Sequence, residues 1–126
     1  MPTKSERVVR RSTVARESSV DVHSIAEFLV EHLGPQLLAL TVGVDDRTVR
    51  RWARAANAAP RFESELRLRS AYQVFQMLQQ VEAPSTIRAW FMGMNPQLDD
   101  RSPAEGIRDG DAKAVLAAAR AFVNAG

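Results

Sequence analysis

The sequence predicts an all-α protein, and three observations carry that expectation. Apolar residues recur at the spacing that lines one side of a helix along most of the chain. No stretch alternates apolar and polar residues as a half-buried strand does. Residues that start and stop helices bracket each periodic segment. The chain has 126 residues, 45% hydrophobic and 25% charged. That suits one domain of ordinary size, or two small modules sharing a core.

The elements follow in order. Residues 1–20 are polar and rich in Ser, Thr and Arg, without sustained period, and read as a mobile basic arm. Val22, Ile25, Ala26, Leu29 and Leu33 then mark a helix, with Asp21 as N-cap and Gly34-Pro35 as its stop. A short helix over 36–42 is expected to turn Leu37, Leu40 and Thr41 inward, and Gly43 ends it. A third helix runs from Asp46 to about Ala56, capped by Asp45 or Asp46, before a break at 57–60. A longer helix covers about 63–81. Pro84, tolerated in a first turn, opens another through Ile87, Trp90, Phe91 and Met94. Residues 93–101 form a loop around Asn95-Pro96 and Asp99-Asp100. Ser102-Pro103-Ala104-Glu105 is a capping box with proline at the first helical position, and its short helix ends near Gly110. Asp111 is expected to cap a last helix with the stripe Val115, Leu116, Ala119, Phe122 and Val123. The domains expected are a helix-turn-helix over 21–60 and a second helical unit over 61–126.

Composition excludes several function classes. There is no cysteine, so no disulfide, thiolate metal site or thiol nucleophile is available. His23 and His32 point different ways on one helix, and no metal site is expected. Gly-rich phosphate loops, Gly-x-Ser-x-Gly elbows and His-Glu-x-x-His motifs are absent from the sequence. The acidic pairs Asp99-Asp100 and Asp109/Asp111 read as caps. No apolar run approaches the roughly 20 residues of a membrane span, and the N-terminus lacks the apolar stretch of a signal peptide. The expectation is a cytoplasmic protein that is not an enzyme, has no cofactor and uses no membrane.

Charge points to a partner. The formal net charge is +2, but the basic residues gather in the first half. Lys4, Arg7, Arg10, Arg11 and Arg16 face Glu6 within the first sixteen residues. Arg47, Arg50, Arg51, Arg54, Arg61, Arg67 and Arg69 face Glu63 and Glu65 over 47–69. Such a half suits a polyanion, nucleic acid first.

The segment from Gln36 to Trp52 reads as a helix-turn-helix. Ala39 is small where two helices must approach, and Gly43 supplies the positive φ of a tight turn. Val44 plugs the turn, and Val49 and Trp52 return to the core. At about 100° per residue from Arg47, Arg50, Arg51 and Arg54 fall at about 300°, 40° and 340°. Val49, Trp52, Ala53 and Ala56 fall at about 140–240°, on the opposite side. A helix with one dry and one arginine face fits a major groove. Asp46, Arg47, Thr48, Arg50, Arg51 and Arg54 are the DNA-binding candidates, with Arg54 placed to meet phosphate. The bland reading is a charged face in water.

The 63–81 helix is apolar on more than one side. Leu68, Ala71, Tyr72, Phe75 and Leu78 form one stripe, widened by Leu66, Val74, Met77 and Val81. Trp90, Phe91, Met92 and Met94 follow. Most of this is core, and the remainder suits a contact surface.

The order of helix-turn-helix, then Trp90-Phe-Met-Gly-Met-Asn95-Pro96-Gln-Leu98, then Ser102-Pro103-Ala-Glu-Gly-Ile107-Arg-Asp-Gly110, then Ala114-Val-Leu116 resembles the Xre/MbcA/ParS-type antitoxins of RES–Xre toxin–antitoxin pairs. The likeness covers roughly residues 21–123. It implies an N-terminal unit that binds operator DNA and a C-terminal unit that binds and occludes an NAD-degrading RES-domain toxin. The matching Asn95, Pro96, Ser102, Pro103, Ile107 and Gly110 read as scaffold. Toxin binding is expected on the last helix, with Lys113, Leu116, Arg120, Phe122 and Val123 as candidates. A lone helix-turn-helix reads few base pairs, so a homodimer or toxin-bridged hetero-oligomer is expected on DNA. Two rival readings are a stand-alone helix-turn-helix regulator with a C-terminal dimerisation domain, and a protein-interaction module that no longer binds DNA.

Overall fold

The computed structural model describes residues 20–125. The arm expected over 1–20 therefore lies outside the described residues, apart from Val20. Within them are seven α-helices and one 3-10 turn, with no strand. The helices are α1 (Val22–Leu33), α2 (Pro35–Val42), α3 (Asp46–Arg54), α4 (Phe62–Leu78), α5 (Pro84–Met92), α6 (Pro103–Arg108) and α7 (Ala112–Ala125), with the 3-10 turn at Pro96–Leu98. Among the described residues no helix is long and apolar enough to cross a membrane.

Local chemistry sets most boundaries. The Asp21 carboxylate accepts from the Ser24 amide and starts α1. Gly34, at φ 88°, ends it, and Pro35 opens α2. The third helix stops at Arg54, two residues before the expected end, because Ala55 swings into extended backbone. The fourth stops at Leu78 rather than Val81, where Val81 N–H bonds the Leu78 carbonyl in a tightened final turn. The fifth stops at Met92 because Gly93 is extended. Met94 then stands in the loop, 81% exposed.

One continuous core joins the helices on both sides of residue 60. It includes Ile25, Leu29, Leu38 and Val49 from the first part and Leu68, Phe75, Phe91, Ile107 and Val115 from the second. Phe28 stacks on His32 at 4.1 Å and meets Tyr72 and Phe75 edge-on, tying α1 to α4. Leu40 is a correction to the sequence expectation, being exposed. Leu37, Leu38, Ala39, Thr41 and Val42 are the buried residues of α2. At about 100° per residue those five span one side and Leu40 lies near the opposite pole.

Arginines fasten the helix ends. Orphan carbonyls at helix C-termini need donors. Arg88 donates to the His32 carbonyl of α1 at 3.0 Å, and Arg67 to the Val42 carbonyl of α2 at 3.3 Å. Arg69 donates to the Val20 carbonyl and pairs with Glu65. Arg101 holds the Leu98 carbonyl together with the carboxylates of Asp109, at 3.3 Å, and Asp111, at 2.7 Å. Asp109 closes α6 and the Asp111 carbonyl accepts from the Val115 amide at the start of α7, and from these helix ends their carboxylates also clamp Arg101, joining the 3-10 loop to the α6–α7 turn. Those hydrogen bonds hold the Arg101 guanidinium protonated even more firmly than usual. Asp99 and Asp100 follow the 3-10 turn in left-handed backbone, at φ 57° and 64°, a conformation aspartate tolerates better than most residues.

Gly106 is required by a close approach. A Cβ there would stand 2.7 Å from Cγ2 of Val115, a stiff, fully buried side chain on α7. Gly106→Ala is expected to lower stability by about 1–2 kcal/mol, the overpacking cost outweighing the gain in helix propensity. Adding Val115→Ala should make the glycine substitution nearly neutral. Urea unfolding midpoints of the four chains check both statements.

Candidate nucleic-acid interface

The turn before α3 is built by Gly43. It adopts left-handed backbone at φ 86°, ψ 36°. Its N–H and that of Val44 both bond the Ala39 carbonyl, at 2.8 and 3.0 Å. Asp45 is the N-cap of α3, accepting from the Thr48 amide at 2.8 Å and the Thr48 hydroxyl at 2.6 Å. These bonds, aided weakly by Arg47 and Arg51, hold the Asp45 carboxyl below its ordinary value. Thr48, a sequence candidate for DNA contact, commits its hydroxyl proton to this cap and is half-buried.

Val49 and Trp52 are buried on the inner side of α3. His23 on α1 donates from Nδ1 to the Trp52 carbonyl at 2.8 Å, pinning that side. Arg47, Arg50, Arg51 and Arg54 are all exposed on the other. With Asp46 and Ala55 they line one shallow surface depression. Among the described residues the ion pairs belong to Arg69, Arg101 and Arg108, so the α3 row carries no neutralising partner there. The structure brings Asp46 and these four arginines together as the helical spacing requires. Of the other arginines counted over 47–69, Arg67 and Arg69 are turned to internal carbonyls.

Sequence reasoning missed a second depression beside α3. It is lined by Gln36, Leu37, Leu40, Arg50, Arg88 and Met92, among others. Arg50 therefore borders both depressions. Arg88 arrives from α5, far along the chain, and no local periodicity signals that meeting.

The toxin-binding candidates divide between two sides of α7. Val115, Ala118 and Ala119 are buried. Counting about 100° per residue from Lys113, Leu116, Arg120 and Val123 fall at about 300°, 340° and 280°, one stripe. Lys113 and Arg120 are exposed, Leu116 and Val123 half-buried. Phe122 falls at about 180°, within the buried arc, and its ring meets Trp90 at 6.2 Å. Phe122 is thus set apart from the other four.

Two caps make stability acid-sensitive. The Ser102 amide and hydroxyl hold the Glu105 carboxyl below its ordinary value, as Thr48 does for Asp45. Groups whose folded values are depressed stabilise the fold fully above their unfolded values. That contribution is lost as pH falls through 4.5 and 3.8, the ordinary values of these two groups, toward their folded values. Thermal unfolding temperature should therefore decline in that window, and Glu105→Gln should flatten the decline.

No protein-family model matches the chain, and no curated protein does. Among solved structures the chain is similar to one described as the crystal structure of the M.tuberculosis MbcT–MbcA toxin–antitoxin complex. The identity is 28%, the likeness covers 82% of this chain and 94% of that chain, and the TM-score is 0.69.

Proposed function

We infer that the chain is an MbcA-like antitoxin and not an enzyme. The observation that carries this reading is the likeness in fold and sequence to the MbcT–MbcA complex, spanning nearly the whole of the matched chain. We propose further that the chain captures a RES-domain toxin, and that it binds its own operator through α3. The unneutralised arginine row on the outer side of α3 supports the DNA reading, because Arg forks match guanine edges and phosphates. Residues 21–60 would then carry DNA recognition and 61–126 toxin capture, over one continuous core. The stripe of exposed Lys113 and Arg120 with half-buried Leu116 and Val123 is the proposed toxin-facing side of α7, with Phe122 supporting it from within. Homodimers or toxin-bridged assemblies would place two α3 helices on one operator.

The test is co-expression with a cognate RES-domain toxin, sought first in the reading frames adjacent to the gene. Growth should be restored and the two proteins should co-purify. A toxin that still arrests growth and fails to co-purify contradicts the antitoxin reading. Lys113→Glu with Arg120→Glu should weaken capture while DNA binding persists. Truncation after Lys113 is unsuitable, since it removes core residues Val115, Ala118 and Ala119.

A further inference from the structure

We propose that Arg88, on α5 in the second half of the chain, holds a backbone phosphate of the same duplex that α3 reads. The proposal rests on the DNA-binding reading above and extends the footprint beyond the helix-turn-helix.

Arg88 and Arg50 line one depression of about 550 Å³, and no acidic side chain lines it. Two guanidiniums around a site without a carboxylate form a complement to an anion. Leu37, Leu40 and Met92 are apolar members of its lining, Leu40 and Met92 being exposed, and their side chains offer no acceptor that competes with an anion for the two guanidiniums. Arg88 is half-buried, and its Nη1 bonds the His32 carbonyl at 3.0 Å. That bond fixes the guanidinium and spends one of its five N–H donors. The side chain is therefore oriented before binding, which reduces the ordering cost.

Continuity with α3 decides the occupant. Arg50 borders this depression and the arginine-lined one alike. A major groove is about 12 Å wide, so a helix lying in it has a phosphate wall along each flank. With Arg50 directed to the bases, the wall on the α2 and α5 flank passes over Arg88. An acidic segment of a partner protein is the competing occupant and is an outcome of the test.

The test compares the wild-type chain, R88Q, R88K, Q36E and R50A. Each is titrated against a duplex from upstream of its own gene and against a random duplex, over a series of salt concentrations. R88Q should lower affinity for both duplexes alike and reduce the salt slope by about 0.9, the share of one phosphate. R88K keeps the charge and should keep the slope. Q36E places a carboxylate at an exposed position of the depression. It leaves Arg88 on the His32 carbonyl, so it reports even if R88Q misfolds, and it should weaken both duplexes alike. Unchanged slopes in R88Q and unchanged affinity in Q36E, with binding still lowered in R50A, overturn the proposal and leave the α3 reading intact. Unchanged slopes accompanied by weaker toxin capture assign the depression to a protein partner and overturn it too. Loss of nothing in R50A as well overturns the DNA reading itself.

Discussion

Arg50→Ala and Arg51→Ala are each expected to cost about 1–3 kcal/mol of discrimination at the operator, roughly a 5- to 150-fold loss. Both side chains are exposed on α3, and neither is among the ion pairs of the described residues. Their removal leaves no buried group unsatisfied, so unfolding temperatures should stay within the small range of ordinary surface substitutions. A random duplex should lose less than the operator, because base contacts carry preference and phosphate contacts carry general affinity. Arg54→Ala should instead weaken all duplexes alike. Toxin capture should be unaffected in every case. Titration of the two duplexes, with toxin co-purification alongside, checks the pattern. Equal losses on operator and random DNA for Arg50→Ala and Arg51→Ala would mean that these residues only meet phosphate.

Trp52→Ala is expected to have the largest effect on stability. Trp52 is 4% exposed and belongs to the core. Truncating a buried tryptophan typically costs about 3–5 kcal/mol, through lost burial and the cavity left behind. Against a total of about 5–15 kcal/mol this is a large share. A fall in unfolding temperature on the order of 10–20 °C should follow. The His23 bond is to the Trp52 backbone and survives the change, so α3 should remain attached but loosened. DNA binding should weaken with it, although no arginine has been touched. A chain that unfolds at the wild-type temperature would show that the dry side of α3 does not depend on this ring.

The contrast between these variants explains what the sequence could reveal. The two sides of α3 were legible because both follow from spacing within one helix. An arginine at every third or fourth position must share a face, and Val49 and Trp52 must oppose it. Gly43 was legible because a tight turn needs left-handed backbone. The capping box at Ser102 was legible for the same local reason, and both of its bonds are present.

What escaped was tertiary. The choice between Asp45 and Asp46 as cap stays open in the sequence because both are aspartates; Asp45 takes the role, accepting from the Thr48 amide and hydroxyl, and Asp46 opens the helix. Leu40 was expected inside because leucine is apolar, but α2 has only one buried side and five other residues fill it. The roles of Arg67, Arg69 and Arg88 depend on carbonyls far away in sequence, and an isolated arginine carries no mark of such a partner. Arg101 was equally opaque, as was the clamp that Asp109 and Asp111 form on it from the ends of two helices. Gly106 looked like an ordinary helical glycine until α7 was laid across it. Phe122 falls in the apolar stripe of the last helix, but its placement beside Trp90 is a property of the packed chain.

Operator recognition requires the outer side of α3 to meet a duplex. The most direct measurement is the affinity of the full chain for DNA from upstream of its own gene, followed against ionic strength, beside the chain with Arg47, Arg50, Arg51 and Arg54 all changed to Ala. A steep linear fall in the logarithm of affinity is expected for the native chain, about 0.9 per phosphate engaged, and a markedly shallower one for the fourfold variant. A flat response, or the same slope in both chains, contradicts recognition through α3.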